Sequence, residues 1–376
     1  MRTDLLVVGA GPAGCAAAAA ALRAVPGLSV TLVDAAAFPR DKPCGGAITG
    51  GGLAELAGAG LALRVPAAAA THAVIRVQGI SVRTEMPRPA AVVRRREWDA
   101  DLVAQVRARG AQVLEEAALL GLPEPNVAET AAGRLRYLAM VAADGAVGAS
   151  RRALGLPAGR RAPGREAVVA SRGNQDLVFD LDVGLPGYAW RFPCRVGGSQ
   201  AESVGTFALG GGGGLGEALG TWALREGLAP PADAAPWSLR LAEPGGPVGA
   251  GSALLAGEAL GADPLTGEGI RYALWSGRIA GELAARAARA GVAPSLRAYR
   301  RRLWLSRSGV TLALLTRLGP RLHGGERRFR ALAADREVVR ALASLVSGAH
   351  PAAPLASLLG RYLALAGGRG PWRTPP

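Results

Sequence analysis

Two short stretches of this 376-residue chain hold residue types whose spacing points to chemistry. In the first, Gly9-Ala10-Gly11-Pro12-Ala13-Gly14, the glycines follow a G-x-G-x-x-G spacing, and Asp34 stands twenty residues beyond Gly14. Gly9 permits a tight turn, Gly11 lets the backbone approach a pyrophosphate, and Gly14, beside Ala13, lets a helix pack close to a strand. Asp34 can accept hydrogen bonds from ribose hydroxyls. In the second stretch, Lys42-Pro43-Cys44-Gly45-Gly46, the chain's only lysine lies two residues from a thiol. An ammonium is a compact point charge where guanidinium is a broad fork, so the position suits the smaller group. Near a thiol it favours the reactive thiolate. A solvated loop lysine is the plain alternative.

These residues need elements to hold them. Asp4-Leu5-Leu6-Val7-Val8 is the apolar run of a buried parallel strand, an alanine-rich helix is predicted from Cys15 to about Ala24, and Ser29 to Val33 makes a second strand that ends on Asp34. Strand, glycine turn, helix, strand and acid form the dinucleotide-binding βαβ unit, whose helix N-terminus offers unpaired N–H groups to phosphates. Pro39, Pro43 and the paired glycines make the segment from Phe38 to Thr49 a shaped loop.

The bulk numbers narrow the classes. A 49% hydrophobic and 19% charged composition is that of a globular protein, and the length allows two domains. No apolar run approaches the ~18 residues of a membrane span. The chain opens directly on a strand, so no secretory signal is expected. Three cysteines, Cys15, Cys44 and Cys194, suit free thiols in a reducing cytoplasm. The net charge of +15 comes from arginines spread along the whole chain, with no helix-turn-helix, zinc or RNA-binding signature, so nucleic acid is not an expected partner and no metal site is read. The basic surface could still attract anionic lipid headgroups or a diphosphate substrate.

The glycine unit followed by Phe38-Pro39-Arg40-Asp41-Lys42-Pro43-Cys44-Gly45-Gly46 resembles the geranylgeranyl reductase family of FAD-dependent oxidoreductases, within the fold group of aromatic hydroxylases and flavin-dependent halogenases. The resemblance places this loop beside the flavin ring with the cysteine facing the reaction chamber. It implies catalytic roles for Cys44 and Lys42 and cofactor contacts for Arg40, Gly45 and Gly46. Further on, Arg95-x-x-Trp98-Asp99 is similar to the family's helix start, where the arginine touches the FAD phosphates; Asp99 also reads as a simple N-terminal helix charge. Asp144-Gly145, with Arg151, resembles a weakened motif in which Gly148 stands where the family has serine. Tyr188-Ala189-Trp190-Arg191-Phe192-Pro193 puts three aromatic rings on one strand face. A packed sheet core would explain that face, and the family signature it resembles lies over the catalytic cavity, so the resemblance makes Tyr188, Trp190 and Phe192 substrate-binding.

Gly257-Glu258-Ala259 and Asp263-Pro264-Leu265-Thr266-Gly267-Glu268-Gly269-Ile270 resemble the family segment in which an acid holds the ribityl chain and a helix points its positive end at the flavin. Glu258 replaces the family's aspartate, and its extra methylene is expected to loosen FAD; Gly267, Gly269 and Ile270 take the family's cofactor positions. The glycines from Gly210 to Gly214 formally continue a nucleotide spacing but are too flexible to preorganise a phosphate nest, and are read as a loop.

The expected fold is α/β: a Rossmann-like FAD-binding domain from 1–66, 90–156 and 246–290, a sheet-based substrate-binding domain from 67–89 and 157–245, and a C-terminal helical cap over 291–376. A membrane-surface face is the alternative for that last segment. The resemblance implies hydride delivery from reduced FAD to a carbon–carbon double bond of an isoprenoid or similar apolar substrate, with NAD(P)H or another external electron donor. A monooxygenase and a non-catalytic flavin-binding relative are the rivals. His72, His323 and His350 fall outside every motif, which leaves Cys44 or ordered water to supply the proton.

Overall fold

The computed structural model describes residues 1–324, 335–346 and 360. Strands Leu5–Val8 and Val30–Val33 are wholly buried, as their unbroken apolar runs require of parallel strands covered on both faces. They lie in a six-stranded sheet ordered Gly249–Ala250, Ala253–Leu255, Ala139–Ala142, Leu5–Val8, Val30–Val33, Gln112–Leu114. All its pairings are parallel except the first. Helix Pro12–Ala24, with proline in its first turn, connects Leu5–Val8 to Val30–Val33.

The alanine run in that helix has a packing cause. Helix Ile270–Arg289 crosses it so closely that a Cβ on Gly277 would lie 2.1 Å from the Ala13 carbonyl oxygen, and one on Gly281 2.1 Å from that of Ala17. Only glycine on one side and alanine on the other permit this approach. It locks together two helices whose N-termini open on the same cavity.

An eight-stranded sheet follows the order Ala235–Arg240, Arg161–Ala170, Ser199–Ala208, Gly187–Val196, Leu177–Asp180, Ala68–Val77, Ile80–Val92, Ala47–Ile48. It is antiparallel except where Leu177–Asp180 pairs with Ala68–Val77. The long hairpin turns at Gln78-Gly79, both at positive φ, as a tight two-residue turn needs. Residues 119–136, which carry no clear period in the sequence, form a separate three-stranded sheet.

Gly214, at positive φ, ends the glycine loop and precedes helix Leu215–Arg225. Helices Leu296–Trp304, Arg307–His323 and Arg336–Val346 complete the described chain. The rest of the expected cap, His350 included, lies outside the described residues. Among the described residues no helix is long and apolar enough to cross a membrane, and no cluster could hold a metal ion.

Candidate active site

The glycine turn is built as its spacing requires. Gly9 has φ +96°, and a Cβ there would meet the Ala143 carbonyl oxygen at 2.5 Å; one on Gly14 would meet the Gly9 carbonyl oxygen at 1.8 Å. Gly11 differs, because its absent side chain leaves space in front of two cations. A Cβ on it would lie 3.6 Å from Arg40 Nη2 and 3.9 Å from Arg95 Nη2. Arg95 donates from Nε and Nη2 to the two Asp99 oxygens, each at 2.7 Å, and Arg40 Nη1 lies 3.1 Å from Asp99 Oδ2. Asp99 is fully buried, so it is no solvated helix charge; it is the counter-ion that holds both guanidiniums over the turn. Burial acts to lower the Arg95 pKa, but the charge and hydrogen bonds of Asp99 win and raise it. Arg40 Nε also lies 3.9 Å from Asp34 Oδ1, so the two guanidiniums share two carboxylates, and the donors they keep in front of Gly11, above a helix N-terminus, suit a diphosphate.

Asp34 closes this cradle from below. Its Oδ2 accepts from Ala10 N at 2.7 Å and its Oδ1 from Ala36 N at 3.0 Å. A carboxylate has about four acceptor sites, so Asp34 keeps capacity for a ribose hydroxyl while fixing the turn.

Opposite the turn, Glu258 Oε2 lies 3.3 Å from Lys42 Nζ. Lys42 is thus no free loop cation: its ammonium ties the 38–46 loop to the segment at Gly257. Gly148 also finds a reason. A Cβ there would lie 2.1 Å from Asp144 Cγ, because the Asp144 carboxylate folds over it to accept from Ser150 N at 2.8 Å. The other oxygen, Asp144 Oδ1, is buried without a partner, and burial raises the Asp144 pKa. Gly267, Gly269 and Ile270 bring the uncapped N-terminus of helix Ile270–Arg289 to the same place.

The aromatic face is real and faces the site. Tyr188, Trp190 and Phe192 are buried, with centroids 6.1 Å and 6.3 Å apart in sequence order. The cysteine loop packs directly on them: a Cβ on Gly45 would lie 2.9 Å from the Phe192 ring and 3.2 Å from Trp190 Nε1. Gly46, at positive φ, donates its N–H to Cys44 Sγ at 3.4 Å. The Tyr188 hydroxyl donates to the Thr266 carbonyl and its pKa is raised by burial, so Tyr188 serves as wall rather than acid. Nucleotide cradle, cysteine loop and aromatic wall line one cavity of about 680 Å³.

Two residues, one in the cavity and one behind its wall, carry chemistry that the motifs did not single out. Glu268 lies in the D-P-L-T-G-E-G-I segment, yet its surroundings come from far along the chain. Its Oε1 accepts from the Thr49 hydroxyl at 2.6 Å, and its buried Oε2 has no hydrogen-bond partner. Burial pushes its pKa up to about 7. His323 Nε2 lies 2.7 Å from the Leu265 carbonyl oxygen, and its ring stacks on Tyr188 from behind the wall, outside the cavity lining. Cys15 and Cys194 are buried free thiols away from the lining, and Cys44 alone of the three reaches it.

The residues present fit FAD: a glycine cradle that a side chain would fill, a paired-arginine anion site, and a second helix N-terminus facing it. Comparison with known proteins agrees. A family profile described as an FAD binding domain matches residues 2–172. The chain is 32% identical over 393 residues to a menaquinone reductase of Mycobacterium tuberculosis, covering 92% of this chain and 91% of that one. To a menaquinone reductase of Mycolicibacterium smegmatis it is 33% identical, covering 75% and 76%. Among solved structures, a geranylgeranyl bacteriochlorophyll reductase-like protein from Thermoplasma acidophilum superposes with a TM-score of 0.74 at 18% identity, over 96% of both chains. A flavin-dependent brominase superposes at 0.72 and 15% identity, over 98% of this chain and 100% of its own. The chain therefore belongs to the FAD-dependent oxidoreductases built on this FAD binding domain, in the fold group that geranylgeranyl reductase-like proteins share with the flavin-dependent hydroxylases and halogenases.

Proposed function

We propose that this protein reduces a carbon–carbon double bond of an isoprenoid or similarly apolar substrate, and the names of its menaquinone reductase relatives make the prenyl tail of a quinone the first candidate. The observation that carries this reading is the single cavity that joins the cationic cradle at Gly11 to the wall of Tyr188, Trp190 and Phe192. Hydride transfer is the chemistry that FAD supplies when bound and reduced. The chain's own residues do the rest. Arg40 and Arg95 hold the diphosphate, and the N-terminus of helix Ile270–Arg289 favours negative charge in front of it. The wall excludes water and accepts apolar carbon, and Cys44 borders the space between. NAD(P)H or another external donor provides the electrons.

Such a substrate resides in lipid, and the molecular surface suits a visit there. Leu305 is 74% exposed at the corner after helix Leu296–Trp304, with Arg301 and Arg307 near it in the chain. An apolar tip among cations favours the anionic inner face of a membrane, reached from the cytoplasm.

The test is anaerobic. Purified protein with FAD is reduced by NADPH, NADH or dithionite, then mixed with a prenylated quinone or a geranylgeranyl compound. Reoxidation of the flavin with stoichiometric saturated product is expected. Product that forms only with oxygen, and carries its oxygen atom, would make the protein a monooxygenase. Failure to accept electrons from any reductant would make it a flavin-binding relative without catalysis.

A further inference from the structure

We infer that Glu268, held by Thr49, is the acid that protonates the substrate carbon next to the one receiving hydride; this rests on the reductase reading above. Saturating a double bond takes a hydride and a proton. The hydride brings two electrons and forms one C–H bond. The π pair of the alkene forms the second C–H bond with a proton taken from an O–H or S–H in the cavity, and the donor keeps the electrons of its broken bond. Reduced flavin, oxidised by two electrons, is the reductant.

The geometry selects Glu268 over the other candidates. It lines the cavity together with Cys44 and the aromatic wall, next to Gly267, whose Cβ position lies 2.9 Å from the Tyr188 hydroxyl. Its side chain is only 6% exposed, so bulk water does not compete for its proton. Its two oxygens are not equivalent. Thr49 Oγ1 accepts from Gly52 N at 3.1 Å as the cap of helix Gly50–Gly58, which turns its hydroxyl hydrogen toward Glu268 Oε1. Oε1 is thereby an acceptor, which leaves Oε2, buried, without a hydrogen-bond partner and 4.0 Å from Arg271 Nη1, to carry the proton in the resting protein.

The charges around Glu268 match a group that gives a proton up and regains it. Burial and Asp263 favour the acid form, while Arg271 and the Thr49 hydroxyl favour the carboxylate. The Arg271 Nη1 atom lies 4.0 Å from Oε2 and the helix begins at Ile270, so charge left after proton transfer has a cation and a helix N-terminus close by. Glu55 faces Arg271 from helix Gly50–Gly58, and the Tyr272 hydroxyl, buried beside them, is held neutral by burial. Tyr188 has its hydroxyl committed to Thr266, and His323 lies behind the wall.

Two measurements test this. In the protein without substrate, infrared difference spectroscopy across a pH titration should show a carboxylic C=O band that vanishes near pH 7 and is missing in Glu268→Gln. Thr49→Val, which removes a donor to the carboxylate, should move that transition to higher pH, and Thr49→Ser should restore it. In anaerobic stopped-flow, Glu268→Gln should bind FAD and be reduced by dithionite as wild type is, while reoxidation by the alkene slows ~10²-fold or more. Cys44→Ser should slow it less. Normal alkene reoxidation in Glu268→Gln, or a full loss in Cys44→Ser alone, overturns the assignment in favour of the thiol or water. A band that does not belong to Glu268 also overturns it. If wild type itself oxidises no alkene, the reductase reading fails and the donor role with it, and the infrared titration then still reports separately whether Glu268 keeps a proton.

Discussion

Lys42 Nζ lies 3.3 Å from Glu258 Oε2, so the chain's only lysine and its departure from the family aspartate form one contact. Glu258 is the departure, and its partner Lys42 belongs to the loop motif. Both side chains lie near Gly145, whose Cβ position is 3.8 Å from Lys42 Nζ and 4.0 Å from Glu258 Oε2. The bridge fastens the cysteine loop to the segment that carries Glu258.

This reverses the expectation drawn from the motif alone. Glu258→Asp should shorten the reach to Lys42 and loosen FAD rather than tighten it. The pair is partly exposed, with 36% of the lysine side chain in solvent, so the effect is modest: up to about fivefold in Kd. Lys42→Met should give a change of the same size, and the double variant little more than either alone. Titration of the apoprotein with FAD, followed by flavin fluorescence, measures all three.

The glycines of the turn should separate binding from folding. A Cβ at Gly11 lies at ordinary contact distance from Arg40 and Arg95 and meets no backbone, so Gly11→Val should fold yet purify without flavin. Gly14→Ala drives a Cβ into the Gly9 carbonyl and should cost on the order of 1–3 kcal/mol or more of stability. Flavin content by absorbance and Tm by calorimetry should therefore move independently in the two variants. A Gly11→Val protein with stoichiometric FAD would sink the cradle assignment.

Much of this site could be read from the sequence because its signals are local. The positive φ of Gly9 and the approach of Gly14 to the Gly9 carbonyl are set within six residues, and alternation alone put Tyr188, Trp190 and Phe192 on one face. Glu268 was invisible as an acid although its motif was seen. Its proton affinity comes from burial, which only the fold supplies, and it persists against the Thr49 hydroxyl, 219 residues away, and Arg271, both of which favour the carboxylate. Gly148 looked like a defect for the same reason, since only the fold shows the Asp144 carboxylate lying where its side chain would be. The counter-ion role of Asp99 required Arg40, which approaches from another segment.

Glu268 should also leave a mark on stability. Its folded pKa of about 7 lies above the ordinary carboxylate value, so the folded state keeps the proton after the unfolded chain has lost it. The stability tied to this proton is complete below about pH 4 and declines as pH rises to about 7, where the folded form ionises too. Glu268→Gln cannot lose that proton. Its stability relative to wild type, followed through Tm, should therefore rise between pH 5 and pH 8, by an amount on the order of 3 kcal/mol at most. A difference that stays constant across this range would mean that Glu268 ionises normally.

Gly45 offers the most direct probe of the contact between loop and wall. Its missing side chain lets the cysteine loop lie against Phe192 and Trp190, and the nearest ring atom would be 2.9 Å from an added Cβ. Phe192 is 6% exposed and held edge-on by Phe179 at 5.1 Å, so the ring has little room to retreat. In Gly45→Ala the loop must therefore give way, carrying Cys44 with it. The cradle at Gly11 lies elsewhere in the cavity and keeps its arginines, so FAD content and dithionite reduction should match wild type. Turnover of the apolar substrate should fall ~10-fold or more in kcat/KM, because a displacement on the order of 1 Å is enough to spoil alignment of the reacting carbon. Phe192→Leu, which removes the obstructing ring edge, should recover part of the loss when combined with Gly45→Ala. If Gly45→Ala instead loses FAD with its catalysis unchanged per bound flavin, the loop belongs to cofactor retention and the wall is only core.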